Sequence, residues 1–133
     1  MNTATSGDSA RRRVLVVDDE AVLRTLISRG FRERGYDVVE VADGLSALDA
    51  ARSASVTFSL VVTNNRMPHL DGPHLATCLR ELDATLPIIH ISGSHGTRHE
   101  NLPPGVPTIF KPFSIWDLLD EGEEMIRERE QPT

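Results

Sequence analysis

Four short apolar runs in the chain each end in residues able to ligate, donate or accept. VLVV (14–17) runs into Asp18 and Asp19, LVV (60–62) into Thr63 and Asn64, PIIHI (87–91) into Ser92, and TIF (108–110) into Lys111. Two carboxylates, an amide, a hydroxyl and an ammonium together suit a divalent cation with a bound oxyanion. Adjacent Asp18 and Asp19 cannot both point inward from a strand, so one is expected to ligate directly and the other through water or backbone amides. Magnesium favours such a site, because it keeps several waters and needs only one or two carboxylates. Alone, Asp-Asp-Glu at a strand end reads equally as a solvated helix N-terminus, where the dipole favours acids. Ser92 and Lys111 at the matching strand ends tip the reading toward a site.

Such side chains meet only if the runs lie side by side in one sheet. Between them the hydrophobic period changes. Leu23, Leu26, Ile27, Gly30 and Phe31 fall on one helical face, with Gly35 as a stop beyond it. YDVVEVA (36–42) is a further strand closed by Asp43-Gly44, followed by Leu45, Leu48 and Ala51 at helical spacing. FSLVVT (58–63) is the third strand. Leu75, Cys78, Leu79 and Leu82 mark a helix begun near Gly72-Pro73, where proline suits a first turn. Ser114 caps a last helix, with Asp117 standing in for the capping-box acid and Ile115, Leu118, Leu119, Gly122 and Ile126 inward. The link 93–107 breaks the alternation with Gly93, Gly96, Pro103, Pro104, Gly105 and Pro107. Proline costs about 3 kcal/mol inside a helix and glycine about 1, so a turn or two near Thr97 to Asn101 is the most that fits. Strand–helix alternation predicts a parallel sheet with helices on both faces. Its ligands bind at the carboxyl ends of the strands, where the strand order reverses.

Composition narrows the function. A length of 133 residues fits one domain with its own core. A net charge of -6 opposes a nucleic-acid surface, leaving Arg11-Arg12-Arg13 as the one basic run. Those arginines do not open an export signal, because Asp18, Asp19 and Glu20 cut off the apolar run behind them. No window approaches the ~20 apolar residues of a membrane span, so the chain is expected to be soluble and cytoplasmic. The one cysteine, Cys78, is expected to be a small apolar residue on a helix face.

The order VLVVDDE, then Asn64 with Met67-Pro68 and Asp71-Gly72, then PIIHIS, then Lys111-Pro112-Phe113 resembles the receiver domain of bacterial two-component response regulators. The resemblance covers residues 13–129, with 1–12 read as a disordered N-terminal segment and 130–133 as a tail. It implies an α/β, flavodoxin-like five-stranded parallel sheet of order 2-1-3-4-5, helices on both faces. The helix between strands 4 and 5 would be shortened or lost. It also implies roles. Asp18 and Asp19 match the acidic pair that helps hold magnesium, and Asn64 stands where the family has its phospho-accepting aspartate. Arg66 lies where a backbone carbonyl completes the metal shell. Ser92 matches the hydroxyl residue that moves to the phosphoryl group, and Lys111 the lysine that pairs with it. The Lys111–Pro112 bond resembles one the family holds cis, which costs little before proline.

Three departures set the chain apart from that family pattern. An amide oxygen lacks a full negative charge, so Asn64 is not expected to form the acyl phosphate that an aspartate nucleophile forms. Losing the carboxylate relaxes repulsion of about 4 kcal/mol for unit charges 4 Å apart at an effective dielectric of 20. The metal loses attraction by the same change, so magnesium binding is expected to be weaker. Thr108 stands where the family usually has a switching aromatic ring. The Pro/Gly-rich link replaces a helix on the face through which receivers dimerise or meet outputs.

The expectation is therefore a stand-alone, atypical, non-enzymatic receiver of phosphorelay signalling. It would act by protein–protein contact with a histidine kinase, another receiver, a downstream signalling protein or a second copy of itself. The alternative is an ordinary phospho-accepting receiver whose aspartate has been exchanged for Asn64 by mutation. Deamidation of Asn64 is disfavoured by Asn65 in place of a following glycine. A flavodoxin-like enzyme or nucleotide binder is opposed by Asp18-Asp19-Glu20, which stand where a Gly-rich phosphate loop would be needed. His95 and His99 share helical spacing but have no third ligand and flanking glycines, and are read as solvated. His90 is read as a packed sheet residue, and Trp116 as edge packing at the start of the last helix.

Overall fold

Alternation within each strand splits the apolar residues between two faces, and helices cover both. In the computed structural model, which describes residues 11–53, 57–93 and 101–131, five strands form one parallel sheet. They are β1 (Arg13–Val17), β2 (Asp37–Val41), β3 (Leu60–Asn64), β4 (Ile88–Ser92) and β5 (Thr108–Phe110), in the order β2-β1-β3-β4-β5. Among the described residues four helices complete it: α1 (Ala21–Glu33), α2 (Gly44–Arg52), α3 (Gly72–Leu82) and α4 (Ile115–Glu130). On one face Val14, Val16, Val62, Ile89 and Ile91 pack with Ile27 and Phe31 of α1 and Leu118 and Leu119 of α4. On the other Leu15, Val17, Val61 and Ile88 pack with Ala47 and Leu48 of α2 and Leu75 and Leu79 of α3. The central strands β3 and β4 are buried throughout, while the edge strands β2 and β5 are only partly so. This is the α/β, flavodoxin-like sheet the sequence implies.

Register sets where the strands end. Val17 lies beside Thr63, Asn64 beside Ile91 and Ser92 beside Phe110, which lines up the carboxyl ends of β1, β3, β4 and β5. Capping fixes the helices that follow. Asp43 accepts from the Ser46 N–H at 2.7 Å, Asp71 from the His74 N–H at 3.0 Å and Ser114 from the Asp117 N–H at 3.3 Å. Only the Ser114 cap was legible as such; Asp43 read as a turn, and Asp71 only as part of a motif.

Three helix-face expectations need correction. Leu26, Leu45 and Leu82 are 50%, 49% and 50% exposed. Leu45 and Leu82 sit in the first and last turns of their helices, and Ala47 takes the buried place beside Leu48. Leu26 opens instead onto a surface groove. Arg11 and Arg12, read with the N-terminal segment, make side-chain bonds to the domain. Arg11 pairs with Asp37 at 3.0 Å, and Arg12 grips the Glu130 carboxylate at 2.9 and 2.6 Å. Residues 1–10 lie outside the described residues.

Between β4 and β5 the described residues 101–107 form turns and no helix. Arg80 of α3 holds them through the Pro104 carbonyl at 2.7 Å, while its Nε donates to the Leu86 carbonyl ahead of β4 at 2.9 Å. Leu102 and Val106 pack against the α2/α3 face. His95, His99 and most of the Thr97–Asn101 turn lie outside the described residues. Among those described, no helix is long and apolar enough to cross a membrane.

Tyr36 follows Gly35, whose φ of +97° suits glycine at the end of α1. Its ring stands edge-on to Phe31, with centroids 5.7 Å apart, and its hydroxyl donates to Glu123 at 3.2 Å. Burial, then the Glu123 charge, pushes the phenol up to about 12. As the one tyrosine in the chain, it can be followed alone by ultraviolet titration, with an expected midpoint about 12. The folded pKa is the higher one. Stability from this group is therefore complete below the ordinary phenol range and is lost as pH rises through the folded value. Tyr36→Phe should remove that alkaline slope. A midpoint near 10, the ordinary phenol value, would contradict the packing described.

Candidate functional site

The apolar run of β1 carries Asp18 inward and leaves Asp19 exposed. Asp18 is 1% exposed, and one carboxylate oxygen accepts from the Glu20 N–H at 2.9 Å. The other, Oδ2, is buried with no hydrogen-bond partner. Its carbonyl accepts from Arg24 at 2.7 Å, which ties the first turn of α1 to the strand end. Burial pushes the Asp18 carboxyl above the usual carboxylate range, against the Glu20 N–H and the Lys111 charge.

Asn64 ends β3 and is 8% exposed. Its side-chain amide donates to the Arg66 carbonyl at 3.0 Å, while the Arg66 side chain is exposed. Asn65 extends the ladder by one bond to the Ile91 carbonyl at 2.8 Å, and Gly72 closes the loop with a bond to the Asn65 carbonyl at 2.8 Å. Ser92 ends β4 fully buried, and its carbonyl accepts from the Lys111 N–H at 2.9 Å. The Lys111 ammonium lies 3.6 Å from a Glu20 oxygen. The Lys111–Pro112 bond is cis.

Two further residues join the strand ends. His90 on β4 is fully buried, with Nδ1 3.1 Å from the Thr108 hydroxyl and Nε2 2.8 Å from the Asn65 side-chain oxygen. Sequence reasoning placed His90 in the sheet but missed its partners, and missed Glu20 as the companion of Lys111. Strand alternation could have found the first: Thr63, His90 and Thr108 share one face in one register. Trp116 is 64% exposed, so the expectation of edge packing is corrected.

A cation fits this donor set on one side. The unpartnered Asp18 Oδ2 is a buried anionic oxygen of the kind a metal satisfies, whereas the Arg66 carbonyl is already engaged by the Asn64 amide. A buried carboxylate oxygen without a partner also lowers stability. Asp18→Asn keeps the oxygen that accepts from Glu20 and removes the charge. It should therefore stabilise the metal-free chain by about 1 kcal/mol in urea unfolding at neutral pH. A loss of stability would mean that Asp18 has a compensating partner.

Beside the site lies an apolar groove of about 380 Å³, lined by Glu20, Val22, Leu26, Lys111, Phe113 and Ile115 among others. Val22 is 73% exposed at its rim.

The model of the response regulator receiver domain family matches residues 14–122. The chain is 33% identical over 125 residues to the sensor kinase CckA of Brucella abortus, covering 92% of this chain and 13% of that much longer protein. It is 30% identical over 118 residues to the response regulator receiver protein CpdR of the same organism, covering 86% of this chain and 97% of CpdR. Among solved structures, the receiver domain of the sensor histidine kinase PA1611 from Pseudomonas aeruginosa has magnesium coordinated in its active-site cleft. It superposes with a TM-score of 0.75 at 27% identity, over 89% of this chain and 99% of that one. With the sheet order and the family match in agreement, this chain belongs to the response regulator receiver domains of two-component signalling.

Proposed function

We propose that this receiver signals by protein–protein contact without carrying an acyl phosphate. One observation carries the reading: the residue at the carboxyl end of β3 is an amide, and that amide is spent on the Arg66 carbonyl. Acyl-phosphate formation needs a nucleophilic oxygen with a displaceable charge, and a carboxamide oxygen has none. Asn64 therefore occupies the acceptor position without its chemistry. Lys111, drawn to Glu20, and buried Ser92 keep the places that the family uses to contact a phosphoryl group.

A magnesium ion, when bound, would neutralise charge on phosphoryl oxygens. Asp18 would hold it directly, Asp19 through water, and the Asn64 amide oxygen and the Arg66 carbonyl would complete the set, the carbonyl in competition with the Asn64 side-chain N–H that now donates to it. Binding is accordingly weaker than in a receiver with three carboxylates. The partner is a histidine kinase, another receiver or a downstream signalling protein, met in the cytoplasm. The apolar groove between α1 and the turn after β5 adjoins Glu20 and Lys111, so a partner seated there senses the site directly.

Incubation with acetyl phosphate and magnesium, followed by intact-mass measurement, tests the proposal. The unmodified chain should show no phosphoryl adduct; an adduct would refute it.

A further inference from the structure

On the α2/α3 face, Val61 and Ile88 continue the apolar core, but the next inward row is Thr63, His90 and Thr108. A fully buried imidazole at the centre of a sheet is disfavoured unless both ring nitrogens find partners. Here the Asn65 oxygen meets Nε2 at 2.8 Å and the Thr108 hydroxyl meets Nδ1 at 3.1 Å. An amide oxygen only accepts, so Nε2 carries a proton; with the ring neutral, Nδ1 then takes the threonine hydroxyl proton. That assignment uses both ring nitrogens, so the three side chains act as one set.

The set spans the strands that form the site. Asn65 is the first residue after Asn64 and opens the 65–72 loop, while Thr108 opens β5 and stands three residues before Lys111. At the far end of that loop, a Cβ added at Gly72 would lie 3.2 Å from the same ring. We propose that His90 is a positioning residue. It clamps the loop after Asn64 to the β5 side of the site and holds Thr108 inward in one arrangement. The clamp deepens the phosphate-independent reading above, because a site held in one state has no second arrangement for phosphate to select.

Its test needs no phosphate and so stands apart from that reading. Nitrogen NMR of the unmodified chain should show His90 with its proton on Nε2; a proton on Nδ1 overturns the assignment. Amide hydrogen exchange tests the coupling. The Asn65 and Lys111 N–H groups flank the clamp, bonded to the Ile91 and Ser92 carbonyls, and the Val61 N–H, bonded to the Pro87 carbonyl, lies away from it. Thr108→Val, which keeps shape and removes the hydroxyl, should speed exchange at Lys111 and also at Asn65 two strands away, by roughly five- to tenfold. Val61 should not change, and Thr108→Ser should restore the original rates. Faster exchange at Lys111 alone, no change at either, or equal acceleration at all three amides would each overturn the clamp. Should Thr108→Val fail to fold, Thr108→Ala takes its place, with the same pattern expected at Lys111, Asn65 and Val61 and the same results overturning the clamp.

Discussion

Asn64→Asp should convert a chain inert to acetyl phosphate into one that takes a phosphoryl group. The carboxylate oxygen attacks phosphorus, an O–P bond forms, and acetate leaves with the electron pair of the bond that breaks. The amide cannot take that step, so the expected contrast is all or none in intact mass. The same substitution changes the ground state. Aspartate cannot donate to the Arg66 carbonyl, so the bond now closing that side of the site is lost. A second carboxylate near buried Asp18 adds repulsion on the order of a few kcal/mol before screening. The variant should therefore be less stable than the parent in chelator, by about 1–3 kcal/mol, and should regain stability as magnesium is added. The parent should change little over the same magnesium range. An inert Asn64→Asp chain would mean that Lys111 and the strand ends are not arranged for the transfer. An adduct on the parent would remove the basis of the functional reading.

The fold was legible because it is written in periods. Val14 to Val17, Leu60 to Val62 and Ile88 to Ile91 are apolar runs of strand length, and Ile27 with Phe31, like Leu118 with Leu119, recur at helical spacing. Their covering of both faces forces a buried parallel sheet. The candidate site was legible for the same reason: a residue that ends a buried strand must emerge at the sheet's carboxyl edge. The strand-end positions of Asp18, Asn64, Ser92 and Lys111 could thus be placed without coordinates.

What could not be read depends on pairing between distant segments. The Glu20 side chain looked like helix-terminus decoration until Lys111 was found 3.6 Å away. The Asn64–Arg66 bond depends on how the loop after β3 turns, which no hydrophobic period records. The bond by which Arg80 of α3 holds the Pro104 carbonyl is invisible in a Pro/Gly-rich link. Leu26 and Leu82 misled because a periodic apolar residue can equally cover core or line a surface groove. Leu26 lines the groove beside the site, and Leu82 another at the opposite end of α3.

Gly72→Ala should be the most damaging single-methyl addition near the site. Gly72 starts α3, and a methyl there would overlap the Asn64 carbonyl oxygen while lying 3.2 Å from the Asn65 Cα and 3.2 Å from the His90 ring. The first two are backbone atoms, fixed by the ladder bond from Asn65 to Ile91 and the loop bond from Gly72 to Asn65. Neither can rotate away as a side-chain end could. The chain must open the 65–72 loop or shift α3, at a cost of about 3 kcal/mol, the upper part of the range for overpacking. For a domain of this size that lowers the melting temperature by roughly 10 °C. Gly93→Ala is the control. Its methyl would meet only the Lys111 Cδ at 3.9 Å, and the change should stay within about 0.5 kcal/mol. Because the displaced loop carries the Arg66 carbonyl, Gly72→Ala should also loosen the Asn64 side-chain amide, seen as faster exchange of its protons. Equal stability of the two alanine variants would show that the loop after β3 yields freely, and that Asn64 is not held where the site requires it.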